Sequence, residues 1–285
     1  MKIQLFKKIV FNLFCYCLPF VSFAWGVEGH RIVGQIAESY LTENAKREIK
    51  KILGTESIAM VSNWADFIKS DTSFNYINSW HYINLKSGLS STEVKAYLNQ
   101  DTEIDIYTRI NFIVKELKNK KLSKEDKIFY LKLLIHFVGD IHQPLHAGRL
   151  EDLGGNKVKV NWFSDPKNLH QIWDDQLILF QQLSYTEYSN SINHASPVQI
   201  KTWQQEPLSD WILQSYQLSE RIYSDIKQPN QRLEYRYNFN YVSILNQQLL
   251  KGGVHLAGVL NEIFKGLLFY SFIFFIGKGG DIYFK

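Results

Sequence analysis

The segment from His136 to His146 carries three histidines and one aspartate within eleven residues. His136 and Asp140 are four residues apart, so on a helix their side chains share one face. The helical spacing of the preceding apolar residues places this pair near the end of a helix, which Pro144 terminates before His146. Imidazole and carboxylate groups in this arrangement are typical ligands of zinc. The segment therefore predicts a metal site.

A second pair, His170 and Asp174, repeats the four-residue spacing. Further candidate ligands are Asp66 in Trp64-Ala65-Asp66, His81 in Trp80-His81-Tyr82, and His30. Six of the eight histidines fall in these segments as possible ligands or supports, a concentration that chance rarely produces. The alternative is a set of ordinary polar residues in mutual hydrogen bonds, but so many partly buried ionisable groups without a cation would be unfavourable. His142 is expected to support a ligand, and His194 and His255 are interpreted as surface or packing residues.

The apolar residues predict a mostly helical chain with one strand. Helical periodicity covers residues 30–41, 43–53, 103–119, 124–140, 168–182, 207–227 and 237–263. Alternation over Val158–Trp162 predicts a strand in a short hairpin that follows Gly154-Gly155. The chain has 285 residues, only six prolines and no linker rich in proline, glycine or serine. We therefore predict a single all-α domain, a multi-helix bundle with a short β-hairpin.

The first 24 residues have the pattern of a secretory signal peptide. Lys2, Lys7 and Lys8 precede an apolar stretch of signal length, and Ser22-Phe23-Ala24 matches a cleavage site. The alternative is an uncleaved N-terminal membrane anchor. Both cysteines fall before residue 25, so cleavage leaves a mature chain without disulfides. We expect a protein exported by residues 1–24, either periplasmic or secreted.

Charge and the C-terminal end limit the possible partners. The formal charge of +4 falls to +1 when the three signal lysines are removed. This balance argues against a protein that holds duplex DNA through many phosphate contacts. The lysines between positions 115 and 127 are expected to form a solvated helix–loop–helix surface. The C-terminal tail, residues 265–285, contains an apolar stretch of roughly ten to fourteen residues within Lys265–Gly277, which is too short to span a bilayer comfortably. We therefore expect a buried or interfacial tail, with a membrane anchor as the alternative.

Taken together, these segments resemble the zinc-dependent single-strand-specific nucleases and 3′-nucleotidases of the S1/P1 type. That family shares its fold with bacterial zinc phospholipases C. The resemblance runs from Trp25 to about Asn261, and a zinc nuclease domain is therefore expected over residues 25–264. It is carried by Trp25-x4-His30, Trp64-Ala65-Asp66, Trp80-His81-Tyr82-Ile83-Asn84, the segment from His136 to His146, Gly154-Gly155-Asn156 and Asn168-Leu169-His170-x2-Trp173-Asp174.

The resemblance implies three zinc ions. One would be held by Asp66, His81, His136 and Asp140. A second, close to the first, would be held by the free amine and carbonyl oxygen of Trp25, by His30, and by Asp140 as a bridge. The third would be held by His146, His170 and Asp174. Two close zinc ions could share and activate a water, and the third could take charge on the leaving oxygen.

The same resemblance implies an activity. A family member would hydrolyse single-stranded DNA and RNA to 5′-phosphorylated products and would remove 3′-phosphates from nucleotides. Asp66, Asp140 and Lys69 would be the catalytic residues. Lys69 stands where the family usually has arginine, so it can neutralise a phosphate but lacks the bidentate fork of a guanidinium.

Two substrate contacts and two competing functions remain open at this point. Tyr82 could stack on a base or simply pack, and Asn156 could approach the substrate or belong to a tight turn. A zinc phospholipase C is the alternative enzyme, but the Trp25-to-His30 spacing and the pair His170-x3-Asp174 favour the nuclease branch. The third possibility is a non-catalytic, metal-dependent nucleotide-binding or adhesion protein. We expect a monomer without an obligate protein partner.

Overall fold

The structure is a computed structural model and describes residues 25–265. The predicted signal peptide, residues 1–24, lies outside the described residues, as does the C-terminal tail after Lys265. The described chain is mostly helical with one small sheet, which confirms the predicted all-α bundle. Within residues 25–265, no helix combines the length and the apolar character needed to cross a lipid bilayer.

The α-helices follow one another along the chain, and the longest connections precede Ser91 and Leu169. They are α1 (Val27–Ser39), α2 (Glu43–Leu53), α3 (Ile58–Val61), α4 (Trp64–Phe67), α5 (Ser91–Gln100), α6 (Ile106–Leu117), α7 (Lys124–Ile141), α8 (Leu169–Gln171), α9 (Leu177–Leu179), α10 (Tyr185–Ile192), α11 (Pro197–Trp203), α12 (Leu208–Ser224) and α13 (Tyr235–Ile263). Three 3₁₀ segments cover Ile68–Ser70, Thr72–His81 and Pro144–Ala147, and a π-helical turn, Ile172–Gln176, joins α8 to α9.

Local sequence explains where several helices begin. Ser123 caps α7 by accepting a hydrogen bond of 3.0 Å from the Asp126 amide, which satisfies one of the free donors of the first turn. Ser90 and Glu93 form a reciprocal capping box at the start of α5. Gly54 ends α2 with a φ of +69°, a backbone conformation that favours glycine. Residues at the helix ends themselves therefore account for the bounds of these helices.

The sheet is larger than the predicted hairpin. Strands β1 (Lys159–Trp162) and β2 (Asp165–Asn168) form the expected antiparallel hairpin, with Lys159 opposite Asn168. A third strand, β3 (Gln231–Leu233), pairs in parallel with β1 and gives the order β2-β1-β3. Three residues are too few to show a period of two, so β3 left no pattern in the sequence. The sheet holds the backbone of β2 in place, and β2 leads directly into α8.

The core lies between α1, α7 and α13, which pack on one another. α1 buries Ile32, Val33 and Ile36 almost completely. Gly253 of α13 lets the helices approach closely, because a Cβ there would lie 2.4 Å from Ile36 Cγ2. His30 lies on the same buried side of α1 as Val33 and faces α7. The packing of these three helices therefore brings a histidine of the first helix against the histidine-bearing helix.

Candidate metal centre

Asp140 lies at the middle of a buried group of histidines. It and His136, one turn earlier on α7, are fully buried. Asp140 Oδ2 is 2.9 Å from His81 Nδ1 and 3.2 Å from His136 Nε2. Its other oxygen, Oδ1, is 3.2 Å from His30 Nε2. One carboxylate therefore faces imidazoles from three separate elements of the chain.

Asp66 of α4 completes this group on the side of Lys69. Asp66 Oδ1 is 3.7 Å from His136 Nε2 and 4.0 Å from His81 Nδ1. Lys69 Nζ donates to the same oxygen over 2.6 Å. We call the five side chains that converge here the large cluster: His30, Asp66, His81, His136 and Asp140. Two subsets of it, His30-Asp66-His136 and His81-His136-Asp140, each bring ligand atoms within 4.8 Å of one another.

A second set, the small cluster, comprises His146, His170 and Asp174. His146 comes from the 3₁₀ turn after α7, His170 from α8 and Asp174 from the π-helical turn. Asp174 Oδ2 is 3.4 Å from His170 Nε2, and Asp174 Oδ1 is 3.9 Å from His146 Nε2. His146 Nδ1 is also 3.9 Å from Asp140 Oδ1, so the two clusters adjoin.

Backbone carbonyls fix the tautomers of three histidines. The Nδ1 atoms of His136, His146 and His170 each lie 2.6 Å from a carbonyl oxygen, those of Ser62, His81 and Gly154. A carbonyl can only accept, so each Nδ1 carries the proton and donates. In its neutral form each imidazole has an unprotonated Nε2, and in all three residues Nε2 points toward a carboxylate of the clusters. Burial opposes protonation of His136, but the carboxylates of Asp140 and Asp66 outweigh it and raise the pKa of His136.

Several polar atoms inside the clusters lack hydrogen-bond partners within residues 25–265. They are His30 Nδ1 and Nε2, His81 Nε2, Asp140 Oδ1 and His146 Nε2. The contact between His30 and Asp140 is short but is not aligned as a hydrogen bond. Buried polar atoms are rarely left unpaired, because each would lose its hydration without replacement. Lone pairs that converge in this way fit a cation, and the mixture of nitrogen and carboxylate donors suits zinc.

Two glycines make the close approach possible. A Cβ at Gly139 would lie 2.7 Å from His30 Nδ1, so α7 needs glycine where it meets α1. Gly154 has a φ of +63°, and a Cβ there would lie 2.5 Å from the Leu145 carbonyl oxygen. This backbone conformation is the one that turns the Gly154 carbonyl toward His170.

The burial of the histidines keeps most of them neutral. Burial, with the positive charge of His136 next, lowers the pKa of His30 to about 4. Burial and the Lys69 ammonium lower the pKa of His81 to about 4. Burial and the neighbouring His146 lower the pKa of His170 to about 3. At neutral pH these imidazoles therefore keep the lone pairs that a metal ion requires.

The carboxylates differ between the two clusters. Burial opposes ionisation of Asp140, but the imidazoles of His136 and His146 outweigh it and hold the pKa of Asp140 well below its ordinary value. Burial raises the pKa of Asp174 well above its ordinary value, even though Gln143 donates to its Oδ1 over 2.6 Å. The small cluster therefore lacks positive charge among its own side chains, and a bound cation would supply it.

The remaining predicted site residues lie at the edges of the clusters. Trp25 is fully buried, and the amide of the next residue, Gly26, donates to the Asp174 carbonyl oxygen over 2.9 Å. Tyr82, directly after His81, is 40% exposed, so its ring is accessible to a base. Asn156 instead uses its side-chain amide within its own loop, donating to the Leu153 carbonyl oxygen over 2.9 Å.

Sequence reasoning missed one residue that contacts the centre, Gln143, and one buried partner of His142, His255. Gln143 gave no signal, because an isolated glutamine has no distinctive spacing. His255, interpreted as a surface or packing residue, is buried, and its Nδ1 lies 2.6 Å from His142 Nε2. His142 donates from Nδ1 to the Val138 carbonyl oxygen over 2.7 Å, and His255 Nε2 lies 3.4 Å from Glu206 Oε2. We call His142, His255 and Glu206 the His142 network.

Comparisons with known proteins agree with this geometry. A family model described as S1/P1 Nuclease matches residues 25–265. Endonuclease 4 of Arabidopsis thaliana is 30% identical over 277 residues, which covers 85% of this chain and 90% of that protein. Endonuclease 3 of the same plant is 28% identical over 268 residues, with coverage of 85% and 90%. Nuclease P1 of Penicillium citrinum is 30% identical over 159 residues, which covers 53% of this chain and 57% of that protein.

Proposed function

This chain belongs to the S1/P1 nuclease family, and we propose that it is a zinc-dependent enzyme that cuts single-stranded DNA and RNA. The products would carry 5′-phosphates, and the same site would remove 3′-phosphates from nucleotides. The observation that supports this most strongly is the convergence of unpaired nitrogen and oxygen lone pairs in two adjoining buried clusters. Family membership makes the protein a nuclease, a hydrolase of ester bonds in nucleic acid.

We assign three zinc ions to the clusters. Their ligands would be, for the first, Asp66, His81, His136 and Asp140; for the second, His30, Asp140 and the amine and carbonyl oxygen of Trp25; for the third, His146, His170 and Asp174. The two oxygens of Asp140 face different imidazoles, which supports its assignment as a bridge. Bound zinc would lower the pKa of a water molecule and polarise the phosphate.

The chain's own side chains would then bind and orient the substrate. The Lys69 ammonium, next to Asp66 at the edge of the large cluster, would neutralise a phosphate oxygen. The exposed ring of Tyr82 would stack on an unpaired base, and every base offers such a face. A duplex keeps its bases stacked on one another, so we expect the enzyme to prefer single strands. Asn156 is a weaker candidate for a substrate contact, because its amide is engaged within its loop.

The proposal includes export of the enzyme. Residues 1–24 would be removed as a signal peptide, which leaves a monomeric nuclease domain over residues 25–264 in the periplasm or outside the cell. Removal would also turn the Trp25 nitrogen from an amide, a poor donor, into an amine that zinc can take. We assign no role to the tail, residues 265–285.

The central experiment compares substrates and metals on one preparation of the mature protein. Denatured DNA, duplex DNA of the same sequence, RNA, 3′-AMP and phosphatidylcholine are assayed in parallel, and bound zinc is counted. We expect turnover of the single strands and of 3′-AMP. Equal rates on duplex and denatured DNA would contradict the single-strand preference, and turnover of phosphatidylcholine alone would favour a phospholipase C.

A matched pair of proteins tests the role of Trp25. One starts at Trp25, and the other retains one methionine before it. We expect the longer protein to lose zinc and activity, because its Trp25 nitrogen remains an amide. Equal zinc content and equal turnover in the two would remove Trp25 from the ligand set.

A further inference from the structure

A cavity of about 370 Å³ lies outside the metal centre, where the start of β1 meets the segment after α12. Its lining residues are Lys157, Val158, Lys159, Ile226, Lys227, Gln228 and Pro229. Three of these seven side chains are lysines and none is acidic. The others offer an apolar surface and one amide. We call this cavity the lysine pocket.

Two of the lysines in the pocket, Lys157 and Lys227, use their ammonium groups on backbone carbonyl oxygens. Lys157 Nζ approaches the Glu151 carbonyl oxygen at 3.4 Å, and Lys227 Nζ donates to the carbonyl oxygen of Ser224. Within residues 25–265, neither of these two lysines forms an ion pair with a carboxylate. Both are exposed and free to reach a ligand in the pocket.

The acidic groups next in sequence are engaged elsewhere. Asp152 Oδ1 accepts from the Gly155 amide over 2.7 Å and from the Tyr223 hydroxyl over 2.8 Å. Asp225 Oδ2 accepts from the Tyr241 hydroxyl over 2.7 Å. Lys157 and Lys227 therefore present two ammonium groups to a pocket whose lining contains no acidic residue, and this arrangement favours an anionic ligand.

Backbone hydrogen bonds connect the lysine pocket to the small cluster. The Val158 carbonyl oxygen accepts from the Leu169 amide over 2.9 Å, and Leu169 directly precedes His170. The Val158 amide donates to the Gly155 carbonyl oxygen over 3.1 Å, next to the Gly154 carbonyl that holds His170. One side of the pocket is therefore built on the same two segments as the small cluster.

We propose that the lysine pocket binds a backbone phosphate of the single strand, at a position beyond the bond that is cut. This inference rests on the proposed function, because it requires a polynucleotide in the metal centre. Lysine ammoniums act as point charges toward phosphate, and Val158, Ile226 and Pro229 would pack against sugars or base faces. None of these groups reads base edges, so the pocket adds affinity for longer strands without adding sequence preference.

The test uses the variant Lys157→Gln/Lys227→Gln with substrates of two lengths. A dinucleotide occupies only the metal centre, whereas a single-stranded 20-mer can also reach the pocket. We expect kcat/KM for the 20-mer to fall roughly tenfold at low salt, with the dinucleotide unchanged. The salt dependence of 20-mer binding should also weaken, by about 0.7 in the log–log slope for each lost phosphate contact.

Two control variants make the result specific. Lys120→Gln/Lys121→Gln removes the same charge from the exposed loop between α6 and α7 and should leave both substrates unaffected. Lys157→Arg/Lys227→Arg keeps the charge and should retain most of the 20-mer activity. An equal loss on both substrates, or no loss on the 20-mer, would overturn the proposal.

A binding assay tests the lysine pocket independently of the proposed nuclease activity. If the unmodified protein cuts neither substrate, the proposed function fails. Fluorescence anisotropy with a labelled phosphorothioate 20-mer then tests the pocket alone, with inorganic phosphate as competitor. Weaker 20-mer binding by the glutamine variant would still support a backbone site. Unchanged 20-mer binding, or complete displacement by millimolar phosphate, would show that the pocket does not hold a strand.

Discussion

The chain contains two buried groups of histidines that differ in how their polar atoms are paired. In the metal centre, His30 Nε2, His146 Nε2 and Asp140 Oδ1 face one another without hydrogen bonds. In the His142 network, two imidazoles are joined by a bond of 2.6 Å, and His142 Nδ1 donates to a carbonyl oxygen. One nitrogen of the network, His255 Nε2, lacks an aligned hydrogen bond within residues 25–265, and it lies 3.4 Å from a single carboxylate, that of Glu206. Several unpaired atoms that converge on one point fit an added cation, whereas one unpaired nitrogen beside one carboxylate can be satisfied by a shared proton.

The tautomers in the His142 network follow from the same reasoning. His142 Nδ1 donates to a carbonyl, so its Nε2 must accept from His255 Nδ1. His255 Nε2 then faces Glu206, and a proton shared between these two groups would make the contact favourable. The ring of Trp211, stacked 4.3 Å from His255, shields the network from water. Buried histidine is therefore insufficient evidence for metal; the pairing of its nitrogens decides between the two uses.

Metal removal should show the largest difference between the metal centre and the His142 network, because only the metal centre should depend on bound ions. A chelator should abolish nuclease activity and lower the Tm of the mature protein by more than about 10 °C, because several tightly bound ions stabilise only the folded state. Differential scanning calorimetry and a zinc count measure both effects, and zinc is added back as the control. Full activity after complete removal of metal would contradict the metal centre.

Asp140→Asn should be the most damaging ligand substitution. It removes the charge that three imidazoles face, so we expect turnover to fall roughly a thousandfold, equivalent to about 4 kcal/mol. Glu206→Gln makes the matched change, carboxylate to amide, in the His142 network and should leave turnover within about twofold. Near-normal zinc content and turnover in Asp140→Asn would make the bridging assignment wrong.

Acid should weaken the metal-free fold through the large cluster. The pKa values of His30 and His81 are about 4 in the folded state, mainly because of burial, against an ordinary 6.5. Between pH 6.5 and 4 the unfolded chain binds more protons, so stability is present above this window and is lost as the pH falls through it. Each histidine accounts for on the order of 3 kcal/mol. Urea unfolding of metal-free protein at several pH values measures this, and a flat profile would contradict it.

Lys69→Ala should lower activity while zinc stays bound. Lys69 donates to Asp66 but offers no lone pair to a metal, so we expect a loss of roughly tenfold to a hundredfold in kcat/KM. Lys69→Arg should retain most of the activity, since it keeps the charge. Zinc analysis beside the kinetics separates the two roles, because loss of zinc in Lys69→Ala would mean that Lys69 supports the ligands instead of the substrate.

His255→Leu should have the smallest effect on the enzyme. It leaves His142 Nε2 buried without a partner, so the free energy of unfolding should fall by about 2 kcal/mol, with zinc content and kcat retained. His194→Leu, at an exposed histidine, is the matched control and should change neither. A loss of zinc in His255→Leu would show that the network supports the metal centre, and the two groups would then act as one.

Much of the fold could be predicted because the signals were local. Helical periodicity placed α7 correctly, and the four-residue spacing put His136 beside Asp140. Helices α10 and α11 were not predicted, although Ser184 with Glu187 and Ser196 with Gln199 form the capping boxes that mark their starts. These two helices could therefore have been predicted from the sequence.

Other features depend on contacts between distant parts of the chain. His142 and His255 are 113 residues apart, and no local pattern relates them. The 3₁₀ segment Thr72–His81 is rich in aromatic and polar residues and lacks helical periodicity, so its course is set by packing around Trp80. The grouping of ligands came from resemblance to a family, whereas the unpaired lone pairs that support it required coordinates.

The π-helical turn at Ile172–Gln176 has a consequence for insertions and deletions. Such a turn contains one residue more than a regular α-helical turn. The extra residue changes the direction in which the following side chains point around the helix axis. Deleting one residue here would restore regular α-helix from His170 onward and would rotate the Asp174 position away from its present direction. The shorter chain would have a more regular helix, but the small cluster would lose Asp174 as a ligand. Length changes at this point should therefore be selected against even where they make the helix itself more stable.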